Sequence, residues 1–260
     1  MQTPDLNWIK DARVFQVNRQ HAYSDHIYTI GKDKKPSSFS LNGTWKFNLS
    51  KNYDSCFKFF YNTEFNDANW NDIQVPGHIQ LQGFENPHYT DVTYPWDGHD
   101  VVKPGQIDMD KNKVYQYRKT FDCPQDFIGN KLILSFEGVE SNIYVWLNGK
   151  FIGYAEDSFT PSRFDITKYT QEKDNVLSVR IFQKCTGTWL EDQDMWRFTG
   201  LFRDVMIYKQ PSLHIQDLKI DTDIDLDTNK SVLSCVCKMS SNESHTLQAK
   251  LYDPQGNIVW

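Results

Sequence analysis

No stretch of this chain approaches the ~20 consecutive apolar residues that a helix needs to span a bilayer. Dense Lys/Arg clusters are missing as well. The 28 basic residues are outnumbered by 34 acidic ones, for a formal charge of −6, so neither a membrane nor a nucleic acid is expected as a partner. There are no low-complexity tracts, and 39% hydrophobic with 24% charged residues suits a folded soluble protein rather than a disordered one. The amino-terminal MQTPDLNWIKDARVFQVNRQ lacks the apolar centre of a secretion signal, which points to the cytoplasm. Without secretion, the sequons at Asn42, Asn48, Asn229 and Asn242 carry no meaning. Cysteines are few: the five are odd in number and irregularly spaced, which argues against a disulfide framework or a zinc site. Cys235 and Cys237 lie two apart, so they should share one face of a strand, as buried thiols.

Helical periodicity of ordinary length is absent, and strand patterns take its place. KVYQYRKTFDC, KLILSFEGV, NIYVWLNGKFIGYAED, NVLSVRIFQ and RDVMIYKQ alternate or run apolar between Gly, Pro, Asn and Asp. Asn148-Gly149 accepts the positive φ angles of a type I′ turn and predicts a hairpin. Pairing across it sends Ile143, Val145, Leu147, Ile152 and Tyr154 to one face, and Tyr144, Trp146 and Phe151 to the other. Both faces are then apolar, as in a two-layer sandwich whose second face is covered by loops, a neighbouring domain or another subunit. What the chain has in plenty is aromatic: 8 Trp, 13 Tyr and 17 Phe, rings that favour strands and make platforms for flat ligands such as sugars.

Residues 1–36 read as an amino-terminal arm, 37–211 as a β-domain, and 212–260 as the start of a second, incomplete one. Asp221, Asp223, Asp225 and Asp227 mimic a calcium loop, but Leu226 and Val232 occupy the places of its glycine and glutamate. Alternation explains them better, with Ile220, Ile224 and Leu226 inward and the aspartates in water.

The densest chemistry lies in TGTWLEDQDMWRFTGLFRDV, residues 186–205. Three readings fit. Glu191 and Asp194, three apart on a helical turn, could form a local pair of catalytic carboxyls. Arg197 and Arg203 could pair with Glu191, Asp192 and Asp204 to fix the loop. Asp194 could hold a hard cation or a sugar hydroxyl. The residues alone do not choose.

WLEDQDMWRFTGLFRDV closely resembles the segment that ends the first domain of glycoside hydrolase family 2 β-galactosidases. The likeness extends to VPGHIQLQGFENPHYTDVTYPW, to FEGVESNIYVWLNGKFIGYAEDSFTPSRFDIT and to the amino-terminal VFQVNRQHAYSDH, in the family's order and over nearly the whole chain. The resemblance implies an all-β architecture: a galactose-binding-like jelly-roll sandwich, then an incomplete immunoglobulin-like sandwich, with the catalytic barrel beyond Trp260. It implies retaining hydrolysis of terminal β-D-galactosides such as lactose. Asp194 would bind an active-site sodium ion and contact the galactosyl group, with Glu191, Asp192, Trp196 and Arg197 as its scaffold. Asp91 matches a substrate-contacting position where the family usually has asparagine, so it departs from the pattern. The catalytic glutamates and the magnesium ligands would belong to the barrel, so this chain alone should be inactive, and the full-length enzyme a homo-oligomer. The alternatives are a stand-alone carbohydrate-binding module and a complementing or assembly fragment.

Overall fold

The computed structural model describes residues 3–23, 37–94, 96, 102–103, 105–191, 194–241 and 243–260. The expectations placed on residues 24–36, on Asp192 and on Asn242 fall outside these. The fold is all-β, with antiparallel sheets and one four-residue helical turn, Thr188–Glu191, as the α-helix among the described residues. The chain separates into two compact units that meet in sequence at Pro211 and Ser212.

The first unit is a sandwich of two antiparallel sheets. The larger runs, in spatial order, Gln16–Val17, Lys150–Glu156, Asn142–Leu147, Asn175–Phe182, Val114–Phe121, Gly43–Ser50 and Asn71–Val75. The smaller runs Ser162–Asp165, Lys131–Phe136, Val205–Gln210 and Ser38–Ser40. Between them lies the core. Trp45, Phe47, Tyr115, Tyr117, Val145 and Val179 of the larger sheet belong to one buried cluster with Leu134, Phe136, Phe164 and Ile207 of the smaller. Phe47 and Tyr117 meet with ring centroids 4.9 Å apart, the edge-to-face contact that aromatic quadrupoles favour.

The Asn148-Gly149 turn forms as its residue types require: φ is 51° at Asn148 and 75° at Gly149, and Leu147 pairs with Lys150. Every residue of Asn142–Leu147 is buried, and so is every residue of Asn175–Phe182. The second apolar face of the hairpin is covered by the chain's own loops. Tyr61 stacks on Trp146 at 5.0 Å and Trp8 on Tyr144 at 6.0 Å, and Ile9, Cys56, Phe60 and Trp70 complete the layer. Arg118 ties that cover down, donating from Nε to Asp67 at 2.7 Å and from Nη1 to the carbonyls of Phe60 and Asn62. A buried guanidinium is tolerable because these acceptors replace water.

The strict alternation expected across the hairpin fails at one place. A β-bulge between Phe151 and Gly153 shifts the register, so that Tyr154 pairs with Tyr144. Tyr154 therefore joins Tyr144, Trp146 and Phe151 in the outer cluster, while Ile152 and Ala155 stay in the core. The bulge sits where two other elements press on the backbone: a Cβ on Gly153 would lie 2.5 Å from the Phe164 ring and 2.6 Å from the Val17 carbonyl. Only glycine permits that approach.

The second unit holds a two-stranded hairpin, Ile215–Asp225 with Lys230–Met239. Leu218, Ile220, Thr222 and Ile224 share a face with Cys237, Cys235, Leu233 and Ser231, and the aspartates take the other. The faces are as the alternation reads, but their burial is not. Ile220, Ile224 and Leu226 are exposed, because no described residue forms a layer over them. Cys235 and Cys237 do share a face, yet Cys235 is exposed and Cys237 only half-buried, where buried thiols were expected.

Candidate functional site

The acidic segment is built around a short ribbon. Met195–Arg197 pairs with His88–Thr90, setting Met195 opposite Thr90, Trp196 opposite Tyr89 and Arg197 opposite His88. Asp194 and Asp91 follow just beyond the Met195–Thr90 end of this pairing, one on each strand. The two carboxylates singled out in the sequence, more than 100 residues apart, thus emerge together at one end of the ribbon, and both are exposed. Tyr89, two residues before Asp91, projects to the same side. Its hydroxyl donates to Asp194 Oδ1 at 2.5 Å, and this bond to a carboxylate holds the phenol's pKa above its ordinary value. Asp194 Oδ2 accepts no hydrogen bond from the described residues. The Trp196 ring lies beside Tyr89 at 5.4 Å with about half its surface exposed. Arg197 braces the ribbon from within, donating from Nη2 to Thr90 Oγ1 at 3.0 Å.

Glu191 and Asp194 are held by different partners. The helical turn ends at Glu191, whose carboxyl accepts from Ser158 N at 2.7 Å and Ser158 Oγ at 2.6 Å. Nor is arginine what fixes Asp204, which accepts from Asn42; Arg203 donates to the Phe159 carbonyl and lies over the Phe202 ring. Asp192, assigned to the scaffold in the sequence, lies outside the described residues.

Behind the ribbon is a cavity of about 220 Å³, whose lining includes Glu85, His88, Lys113, Glu140, Glu191 and Arg197. Glu85 is held by the Lys113 ammonium and the Tyr115 hydroxyl. Burial pushes the Glu140 carboxyl up to about 8, with repulsion from Glu191 adding to it and Arg197 opposing it. Glu191 is raised too, chiefly by burial. Sequence reasoning did not find Tyr89, Glu85 or Glu140. Tyr89 had a usable signal, since alternation alone puts it on the side of Asp91; nothing local distinguishes a carboxyl that tertiary packing will bury.

Could the ribbon hold a cation? Asp194, Asp91 and the Tyr89 oxygen are hard donors of the kind alkali and alkaline-earth ions take. The open Oδ2 of Asp194 fits one ligand position. Among the described residues no group of three or more His, Cys, Asp or Glu side chains is placed to hold a metal, so a full coordination shell needs oxygen atoms from elsewhere. No described helix is long and apolar enough to cross a membrane.

Comparison with known proteins identifies the family. Residues 39–211 match the family described as glycosyl hydrolases family 2, sugar binding domain. A β-galactosidase of Halalkalibacterium halodurans is 46% identical over 98% of this chain, which covers 26% of that protein. A β-galactosidase of Clostridium acetobutylicum is 42% identical over 98% of the chain and 29% of its own length, and a β-galactosidase large subunit of Leuconostoc lactis 41% identical over 98% and 43%. The chain therefore spans from about a quarter to under half of these relatives. Among solved structures, a Lactobacillus rhamnosus β-glucuronidase superposes with a TM-score of 0.60 at 17% identity, over 89% of this chain and 38% of that one. That likeness speaks for the fold alone. With a matched sugar-binding domain over two-thirds of its length and relatives of this similarity, the chain belongs to glycosyl hydrolase family 2.

Proposed function

We propose that this chain is the amino-terminal part of a retaining β-galactosidase, and that its ribbon forms one rim of the galactoside-binding site. The observation that carries the proposal is the ribbon that brings Asp91 and Asp194 to one of its ends, with Tyr89 bonded to one oxygen of Asp194 and the other accepting no hydrogen bond from the described residues. An ionised Asp194 can accept from sugar hydroxyls and can supply one oxygen to a sodium ion. When bound, that ion would offset carboxylate repulsion and orient oxygen atoms of the sugar. Tyr89 fixes the Asp194 rotamer, Arg197 fixes the ribbon through Thr90, and Trp196 offers an apolar ring to the C–H face of a sugar. Bond cleavage, with a nucleophilic and an acid/base glutamate, is assigned to the remaining length of polypeptide seen in the relatives, as are the magnesium ligands. Lactose is the natural candidate substrate, and the cytoplasm the candidate location.

The test joins the 260-residue chain to the remainder of the Halalkalibacterium halodurans β-galactosidase and follows hydrolysis of a chromogenic galactoside. The expected result is an active chimera in which Asp194→Asn lowers kcat/KM about 100-fold, equivalent to about 3 kcal/mol, and blunts the response to sodium. The 260-residue chain by itself should show no turnover. An Asp194→Asn chimera with unchanged kcat/KM and sodium response would overturn the proposal.

A further inference from the structure

The acidic segment leans on a carboxyl that lies outside it. The ribbon of Met195–Arg197 with His88–Thr90 is three pairs long and belongs to neither sheet of the sandwich, and two strands so short do not hold a position by themselves. Asp194, at the end of the ribbon, therefore depends on what fixes the chain just before it. That is the turn Thr188–Glu191, whose Leu190 and Glu191 amides both donate to the Gly187 carbonyl at 2.9 Å. The backbone from Glu191 to Asp194 spans at most about 10 Å, so little chain is available to absorb a displacement of the turn.

Glu156 fixes that turn. It ends the strand Lys150–Glu156 and is 3% exposed. Its carboxyl accepts from the Gly187 amide at 2.7 Å, from Thr186 Oγ1 at 2.8 Å and from the Tyr154 hydroxyl. No cation of a described residue pairs with it, so these three donors are what makes a carboxyl tolerable there. Burial raises it above the ordinary carboxyl range, and the same three bonds offset part of the rise. An ionised carboxylate accepts from all three at once, whereas the amide of a glutamine would turn a donor toward one of them. Two residues on, Ser158 donates to Glu191 from both its amide and its hydroxyl. The strand end and the turn thus hold each other by one carboxyl in each direction, and Glu156 is the more enclosed of the two. Gly187 is part of the fit: a Cβ there would lie 3.1 Å from Glu156 Oε2, close enough to press on the carboxyl.

We infer that Glu156 is a positioning residue for Asp194: through Thr186 and Gly187 it sets the turn from which Asp194 reaches the Tyr89 hydroxyl. Being enclosed, it acts only through this segment. The use made of the position rests on the Asp194 proposal; the positioning itself does not.

Tyr89 can report the position, because its hydroxyl donates to Asp194. The purified 260-residue chain, labelled with carbon-13 at tyrosine Cζ, would be followed by NMR at neutral pH. Tyr89→Phe assigns the resonance, and Asp194→Asn fixes its value when the bond to the carboxylate is lost. Glu156→Gln should move the Tyr89 resonance at least half of the way to that value, and Gly187→Ala should move it in the same direction. Ile207→Val, an ordinary truncation in the core of the smaller sheet, should leave it in place, which separates positioning from general loosening. Thermal melts show which variants fold; if Glu156→Gln does not, Gly187→Ala decides. An unmoved Tyr89 resonance in the deciding variant would overturn the inference. So would a resonance that Asp194→Asn itself leaves in place, since the bond being read would then be absent. The Asp194 proposal fails separately, by unchanged hydrolysis in its own chimera.

Discussion

Two hairpins in this chain have the same construction and opposite surroundings. In the first, Asn142–Leu147 with Lys150–Glu156, every residue but Lys150 is buried and both faces are covered. In the second, Ile215–Asp225 with Lys230–Met239, most residues are exposed, including Ile220, Ile224, Val232 and Val236. Alternation sets which residues share a face in both, because it is a property of the extended backbone. Whether that face is buried depends on a second layer, which for the first hairpin comes from the smaller sheet on one side and from the loops around Trp8 and Phe60 on the other. The comparison separates what a strand determines for itself from what must be supplied to it.

The largest effect expected from this contrast lies at Trp146, which is 1% exposed and stacked on Tyr61. Trp146→Ala should cost about 3–5 kcal/mol in urea unfolding, the transfer and cavity terms together. A loss below about 1 kcal/mol would mean that the covering loops do not hold the outer face closed.

A middle-sized effect concerns charge, where the hairpins differ in the same way. Asp225 lies in water, and hydrogen bonds from Thr228 lower its pKa. Glu140, beside the buried hairpin, titrates at about 8. Between the ordinary carboxyl range and pH 8 the folded state holds a proton that the unfolded chain has lost. The stability this confers is fully present below about pH 4.5 and is lost as pH rises through 8. Glu140 is only half-buried, and solvent screening reduces the full linkage to about 1–2 kcal/mol. Glu140→Gln should therefore melt higher than the parent at pH 9, with the difference vanishing at pH 4. A difference independent of pH would show that the effect comes from packing and not from ionisation.

The smallest effect belongs to the exposed hairpin. Ile220→Ala should change the stability of this chain by no more than about 0.5 kcal/mol, as a surface substitution does. A loss above about 1.5 kcal/mol would show that a layer covers this face in solution, and the contrast between the two hairpins would collapse.

The parts of the fold that could be read from the sequence were those decided locally. Asn148-Gly149 announces its own turn, and the strands of the sandwich follow from composition and alternation. The bulge beside Gly153 could not be read, because its cause is a ring and a carbonyl brought in from Phe164 and Val17, distant in sequence or across a sheet. Asp194 and Asp91 were found through motif resemblance; that they lie at one end of the same ribbon depends on a pairing between segments more than 100 residues apart, which no local pattern encodes. Glu140 shows the same limit from the side of chemistry, since a glutamate carries no local mark of the desolvation that folding will impose. The exposed side of the second hairpin was misjudged because apolar alternation implies a cover without saying where that cover comes from.

The two residues Gln16 and Val17 pair with Ala155 and Tyr154 and so occupy the flank of a seven-stranded sheet. Stripped of that short segment, Lys150–Glu156 would present a row of vacant amides and carbonyls, a ready template for foreign chains. The amino-terminal segment therefore occupies those groups, and the glycine at 153 is what lets Val17 come close enough to do so.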